Sequence, residues 1–342
     1  MKIMQVMAGD DEGGLEKHFV ELSNALARRG HEVVAVAHEK YRDRFEPGVR
    51  YEALDLARSR RNPAALLALY RLIRREAPDV VHAQANKSAA MLSPLLPFLP
   101  AASVATLHNL KRDTAMFRRF DVLIAVSHAI SGHVRHDDLR VVYNGIRPSA
   151  RPDPAVLDAL RHDLDLPAGR PVVLSVGRLV PAKGFDLLLT AWQTLDATLL
   201  IAGDGPDRAA LEAQITALGL ADRVRLLGMR SDVPVLMALA DLVVISSRNE
   251  GFPYVMVEAL HMRSPLVSTL ISDVGRILPD PYLVPLEDVD ALRQALMRAL
   301  ADPQALASAY EPVFAYAASD LSLDSMVDKT ERIYAELLHA RG

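Results

Sequence analysis

Val172-Val173-Leu174-Ser175-Val176-Gly177-Arg178-Leu179-Val180-Pro181-Ala182-Lys183-Gly184 is the stretch from which the fold can be read. Its first five residues form a short apolar run of the kind that makes a strand buried on both faces. A loop with glycine, proline and two cations follows, and residues 184–195 then take up a helical pattern. Outward from this strand–loop–helix unit the alternation continues. Toward the C-terminus, strands are predicted at 198–202, 224–227, 242–246 and 266–269, with helices at 207–218, 233–239, 253–261 and 288–301. Toward the N-terminus, apolar runs at 2–8, 31–38, 80–82, 104–107, 122–126 and 141–143 alternate with helices at 16–29 and 63–76. Gly30 stands where a helix C-terminal cap belongs. In 63–76, Leu66, Leu67, Leu69, Tyr70 and Ile73 are expected to face inward, and Arg71, Arg74 and Arg75 outward. Strands alternating with helices imply parallel sheets covered on both faces.

The expected architecture is therefore α/β, with two doubly wound units. Residues 1–165 form the first domain and 170–320 the second, with a polar helix at 151–165 and a linker at 166–171. An amphipathic helix over 321–342 is expected to pack back on the first domain. In open sheets of this kind ligands bind beyond the carboxyl ends of the strands, so the cleft between the two domains is the expected site.

Composition narrows the function classes. The chain has 342 residues, half of them hydrophobic and about a quarter charged, which excludes a disordered or fibrous protein. It has no cysteine, hence no disulfide framework, thiolate metal site or cysteine nucleophile. The net charge of −4 hides an asymmetry: residues 1–150 carry 22 Lys+Arg against 17 Asp+Glu, and the remainder 17 against 26. The halves thus stand at +5 and −9. Residues 1–8 run straight into Asp10, Asp11 and Glu12, unlike a secretory signal. Residues 89–107 are uncharged, but Pro94, Pro97 and Pro100 would each break a spanning helix, and a buried helix, a proline turn and a strand fit better.

Three segments carry chemistry. In the first βα loop, Gly9, Gly13 and Gly14 precede a helix, where backbone N–H groups can approach an anion. The G-x-G-x-x-G dinucleotide spacing is missing, and a plain tight turn is the competing account. In the second half, Arg178 and Lys183 sit on one βα loop and could neutralise a diphosphate without a metal; two solvated surface cations are the alternative. The third segment is Glu250-Gly251-Phe252-Pro253-Tyr254-Val255-Met256-Val257-Glu258, which opens a helix with Pro253 near its first position. Glu250 lies in the loop and Glu258 in the helix, so the two carboxylates can meet different parts of one ligand. Otherwise Glu250 is a cap and Glu258 an ordinary helix residue.

With these segments the sequence resembles the retaining glycosyltransferases of family four, which have the GT-B fold. The resemblance is carried by Gly13-Gly14-Leu15-Glu16, Val80-Val81-His82-Ala83, Thr106-Leu107-His108, Val126-Ser127 and Asn144-Gly145-Ile146. In the second half it is carried by Val176-Gly177-Arg178-Leu179 with Lys183-Gly184, Ala202-Gly203-Asp204-Gly205-Pro206, and the E-x7-E element from Glu250 to Glu258. The ordered set runs from residue 1 to about 338.

The resemblance implies roles. Arg178 and Lys183 would hold the donor diphosphate and stabilise the charge growing on it. Gly13 and Gly14 would offer backbone N–H groups from the other domain, and Glu258 would accept from ribose hydroxyls. Glu250, with the backbone of Gly251, Phe252 and Pro253, would hold the transferred sugar, and Met229 would touch the base through its backbone. His108 would stand near the sugar's reacting face, with a structural histidine as the competing account; His82 ranks below it. No metal and no cofactor beyond the nucleotide-sugar co-substrate is expected: the histidines are scattered without ligand spacing, and no carboxylate stands out as a nucleophile. After Glu258 the chain departs from the family's glycine-rich continuation and its Gly-Gly…Glu turn, reading Ser272-Asp273-Val274-Gly275-Arg276 instead. No donor identity carries over.

The function expected is transfer of a sugar from a nucleotide sugar, uridine-linked by preference, to a hydroxyl of a lipopolysaccharide or other surface glycan. Nucleic acid is not an expected partner. Arg58, Arg60, Arg61, Arg71, Arg74, Arg75, Lys111, Arg112, Arg118 and Arg119 could face anionic lipid, so a cytoplasmic enzyme touching the inner membrane is expected. Two alternatives are kept: a degenerate sugar-nucleotide-binding homologue, and, below it, a sugar-nucleotide epimerase.

Overall fold

The computed structural model describes residues 1–9, 13–56, 59–109 and 113–341. Contacts divide it into two units, one of residues 1–146 with 320–342 and one of residues 147–319.

The first unit is built on seven parallel strands: β1 (Lys2–Met7), β2 (Glu32–Ala37), β3 (Val49–Ala53), β4 (Val80–Gln84), β5 (Ala102–Leu107), β6 (Val122–Ala125) and β7 (Leu139–Val141). Their order is β3-β2-β1-β4-β5-β6-β7. Helices α1 (Gly14–Arg28), α2 (Pro63–Glu76), α3 (Ala85–Leu92) and α4 (His128–Ser131) connect them. Local chemistry sets the ends. Asn62 caps α2 by accepting from the N–H groups of Ala64 and Ala65, with Pro63 as its first residue. Gly30, just beyond α1, has φ +87°, which glycine adopts without strain. The inward stripe of α2 is Ala65, Leu69, Leu72 and Ile73. Leu67, expected inward, is 47% exposed, because it lies about 200° around the helix from Ala65 and Leu69.

The second unit begins with α5 (Pro154–Asp163), followed by β8 (Val172–Val176), α6 (Phe185–Ala191), β9 (Thr198–Ala202), α7 (Arg208–Ala217), β10 (Val224–Gly228), α8 (Val233–Leu239) and β11 (Leu242–Ile245). Then come α9 (Tyr254–His261), β12 (Leu266–Thr269), β13 (Leu283–Val284), α10 (Val289–Ala301) and α11 (Pro303–Asp320). The sheet order is β10-β9-β8-β11-β12-β13, all parallel. Arg225 of β10 donates to the carbonyls of Leu164 and Asp165, tying the end of α5 to this sheet. Trp192 is fully buried, and its indole N–H donates to the Ala197 carbonyl at 3.1 Å.

The chain then returns to the first unit as α12 (Leu323–Arg341). Leu323, Met326, Val327, Ile333 and Tyr334 join the core formed by Phe19, Leu22 and Leu26 of α1 and the apolar strand residues. Burial of each large side chain contributes about 1.5–3 kcal/mol. Four of the elements fall where the sequence pattern assigns none: β3, α4, β13 and α11, the last with Pro312 in its interior.

Candidate functional site

At the carboxyl end of the second sheet the loops after β8, β9 and β10 interlock through their backbones. The Gly177 N–H donates to the Ala202 carbonyl at 3.0 Å, Leu179 N–H to Asp204 at 2.9 Å, and Gly203 N–H to Gly228 at 2.8 Å. Glycine is required for this closeness. Gly203 has φ +142°, and a Cβ there would stand 1.9 Å from the Gly177 carbonyl oxygen. Gly184, at φ +64°, would place one 2.1 Å from the Ser246 oxygen.

That packing sets out the charged groups. The Lys183 stem lies across Gly177, and its ammonium forms an ion pair with Glu250. The Ser247 hydroxyl donates to the same Glu250 oxygen at 3.0 Å, and the Ser246 hydroxyl donates to the Lys183 carbonyl at 3.0 Å. Lys183, Glu250, Ser246, Ser247, Phe185 and Pro253 line one small recess. Arg178 is exposed on the same loop as Lys183, and its guanidinium makes no ion pair among the described residues. Gly251, Phe252 and Pro253 are buried, and Pro253 precedes the first turn of α9, whose leading N–H groups lack intrahelical partners. Glu258 is half-buried in the second turn of α9. Met229 follows Gly228 at the end of β10 and is 76% exposed.

The structure thus brings Lys183, Glu250, Gly251, Phe252 and Pro253 together, with Arg178 on the adjoining loop. The departing segment reaches the same place: the Ser272 hydroxyl donates to the Gly251 carbonyl, and Thr269 donates to the Ser247 carbonyl at 2.6 Å.

Gly13, Gly14 and His108 belong to the first unit. Gly13 caps α1 and is exposed, and Gly14 opens the helix; Asp10, Asp11 and Glu12 lie outside the described residues. His108 follows β5, is 6% exposed, and its Nε2–H donates to the Gln84 Oε1 at 3.1 Å. From there a buried chain of polar groups continues. Gln84 donates to Gln5 at 2.9 Å, and Gln5 to the Tyr334 hydroxyl at 3.0 Å. Tyr334 donates to His82 Nδ1 at 2.5 Å, and His82 Nε2–H to Thr106 at 2.7 Å. With Nδ1 accepting and Nε2–H donating, the His82 ring is the neutral Nε2 tautomer, and His108 carries a proton on Nε2. Burial enforces neutrality, lowering the pKa of His82 to about 3 and pushing that of His108 well below 6.5. His18 lies edge-on to His108 with ring centroids 4.7 Å apart, and burial lowers its pKa to about 4.

Sequence reasoning missed Ser246, Ser247, Gln5, Gln84, Tyr334 and His18. A signal existed for the first-unit group. Gln5 and His82 are register partners in adjacent, otherwise apolar strands, as are Gln84 and Thr106. Polar side chains inside buried strands must find one another or lose stability.

Of the basic residues singled out, Arg60, Arg61, Arg71, Arg74, Arg118 and Arg119 are exposed. Arg75 is paired with Glu52 and Glu76, and Arg58, Lys111 and Arg112 lie outside the described residues. Among the described residues no helix is long and apolar enough to cross a membrane, and no group of three or more Asp, Glu or His could hold a metal ion.

Comparison with known proteins places these features. Residues 12–150 match the model for Glycosyltransferase Family 4, and residues 158–312 that for Glycosyl transferases group 1. The lipopolysaccharide core biosynthesis glycosyltransferase LpsE of Rhizobium meliloti (strain 1021) is 31% identical over 320 residues, covering 88% of this chain and 89% of LpsE. LpsD of the same organism is 30% identical over 318 residues, covering 89% of each. The crystal structure of Anabaena Alr3699/HepE in complex with UDP superposes with a TM-score of 0.87 at 22% identity, covering 98% of this chain and 100% of that one. Two Rossmann-like domains of this kind are the GT-B fold, and the class is that of the glycosyltransferases. Within it, the chain belongs to glycosyltransferase family 4.

Proposed function

We propose that this glycosyltransferase is a retaining, metal-independent enzyme. It moves a sugar from a nucleotide sugar, with uridine diphosphate as the carrier, to a hydroxyl of a saccharide in lipopolysaccharide-core or related surface-glycan assembly. The observation that carries this reading is the placement of Arg178 and Lys183 on one loop beyond β8, with Glu250 against Lys183.

The chemistry follows from that placement. As the bond from sugar to diphosphate breaks, negative charge grows on the leaving group, and Arg178 and Lys183 stabilise it, aided by the N–H groups that open α9. Glu250 and the backbone of Gly251–Pro253 hold hydroxyls of the transferred sugar, Glu258 holds the ribose, and the Met229 backbone meets the base. In the first unit, Gly13 and Gly14 offer N–H groups to the donor, and His108, fixed by Gln84, faces the sugar. Retention follows from attack on the face from which the diphosphate departs. The names of LpsE and LpsD support a lipopolysaccharide acceptor, and the HepE complex supports a uridine carrier. The exposed arginines of the first unit support a cytoplasmic enzyme resting on anionic lipid of the inner membrane.

A thermal-shift screen of UDP, GDP, ADP and their sugars tests the donor. UDP is expected to raise the melting temperature most, by preferential binding to the folded state. Transfer to core oligosaccharide should then proceed in EDTA and yield the anomeric configuration of the donor by NMR. Stabilisation by another diphosphate, activity lost to EDTA, or an inverted product would each overturn the corresponding part. Failure to pellet with anionic vesicles at low salt would overturn the membrane contact.

A further inference from the structure

We infer that Arg248 is a positioning residue for the donor site, acting through Lys183 and Glu250 rather than by touching the ligand. Arg248 stands two residues before Glu250, and its contacts run to the loop that carries Lys183. Its backbone N–H donates to the Ala182 carbonyl at 2.8 Å, and its Nη1 donates to the Pro181 carbonyl at 2.7 Å. The two ends of its guanidinium grip both carboxylate oxygens of Asp186, in the first turn of α6, at 2.7 Å each. Its Nε donates to Glu287 at 2.6 Å.

One planar fork therefore ties three segments: the Pro181–Lys183 turn, the start of α6, and the residue preceding the cap of α10. Glu287 holds a left-handed backbone, φ +59°, a conformation a non-glycine residue keeps only where its surroundings fix it. The Asp186 carboxylate is held below its usual pKa chiefly by the hydrogen bonds from Arg248. The Lys183 ammonium and the Glu250 carboxylate meet across the seam that this fork closes. A bidentate guanidinium fixes both distance and plane, which the point charge of lysine does not.

The inference rests on the donor reading above. UDP is the probe, titrated calorimetrically against wild type, Arg248→Ala, Arg248→Lys, Lys183→Ala and the Arg248→Ala/Lys183→Ala double variant. Arg248→Ala is expected to weaken UDP binding about tenfold, Arg248→Lys by less than that, and the double variant by no more than Lys183→Ala alone. Melting temperatures identify any variant that has lost its fold, and Asp186→Asn, which removes one charge of the fork without removing Arg248, replaces it in the cycle. Wild-type affinity in Arg248→Ala, or additive losses in the double variant, would overturn the inference while leaving the donor reading in place. Absence of UDP binding by wild type would overturn the donor reading, and this inference with it.

Discussion

The hydroxyl of Tyr334 lies 2.5 Å from Nδ1 of His82, a residue 252 positions earlier in the chain. Both side chains are fully buried, and the same hydroxyl accepts from Gln5 at 3.0 Å. The last helix thus does more than cover apolar surface, since it closes the polar chain that ends on His108.

Replacing Tyr334 by phenylalanine removes the hydroxyl shared by Gln5 and His82 and leaves the Gln5 amide nitrogen and His82 Nδ1 only their long 3.4 Å contact with each other. Leaving buried donors or acceptors unsatisfied costs about 1–3 kcal/mol. Urea unfolding of the Tyr334→Phe protein should show a loss in that range. An unchanged midpoint would mean that the chain of hydrogen bonds contributes nothing to stability.

The buried histidines make stability depend on pH. Burial lowers the folded-state pKa of His18 to about 4 and of His82 to about 3, from 6.5. The unfolded chain therefore binds more protons over that interval, and stability is full above pH 6.5 and declines as pH falls toward those values. Each such histidine contributes a loss of roughly 2 kcal/mol between pH 7 and pH 5. Urea titrations of wild type and His82→Gln at the two pH values should show a smaller loss in the variant. Equal losses would show that His82 is not held neutral.

Arg178→Ala and Lys183→Ala should separate catalysis from folding. Arg178 is exposed with no ion pair among the described residues, so its removal should shift stability by less than about 0.5 kcal/mol. Removing one preorganised group from a developing charge costs on the order of 10²–10³ in kcat. Single-turnover transfer assays, with melting temperatures alongside, measure both. A variant with full activity would remove that residue from the mechanism.

Gly203→Ala should be among the most damaging small substitutions in the second unit. Its Cβ would lie 1.9 Å from the Gly177 carbonyl oxygen, and its φ of +142° is closed to alanine. A loss of more than about 1 kcal/mol in stability is expected, together with lost UDP binding. Binding that survives unchanged would show that the three loops can part without disturbing Lys183.

Much of the fold was legible because fully buried parallel strands write themselves as aliphatic runs. The strand at 172–176 is β8 to the residue. Elements without that signature were not legible. The helix α11 contains Pro312 and buries only Leu306, Tyr310, Val313, Phe314 and Ala317, so its pattern is weak and its proline argues against it. The short strands β3 and β13 lie at sheet edges, where half-exposed residues blur the apolar run. The division after Ile146 was likewise hidden, since α5 reads as a generic polar helix and is assigned by the contacts of Arg225.

By itself the sequence determined the two α/β units, the loops that carry Arg178, Lys183 and Glu250, and the family to which the chain is similar. These depend on local order: apolar runs, glycine at tight turns, and charged residues at strand ends. Only the tertiary structure decided which of these residues meet. The pairing of Lys183 with Glu250 spans 67 residues, that of Arg248 with Asp186 spans 62, and that of Tyr334 with His82 spans 252. Such contacts are fixed by strand order and register, which bring distant segments to one edge of a sheet and leave no trace in the spacing of residues along the chain.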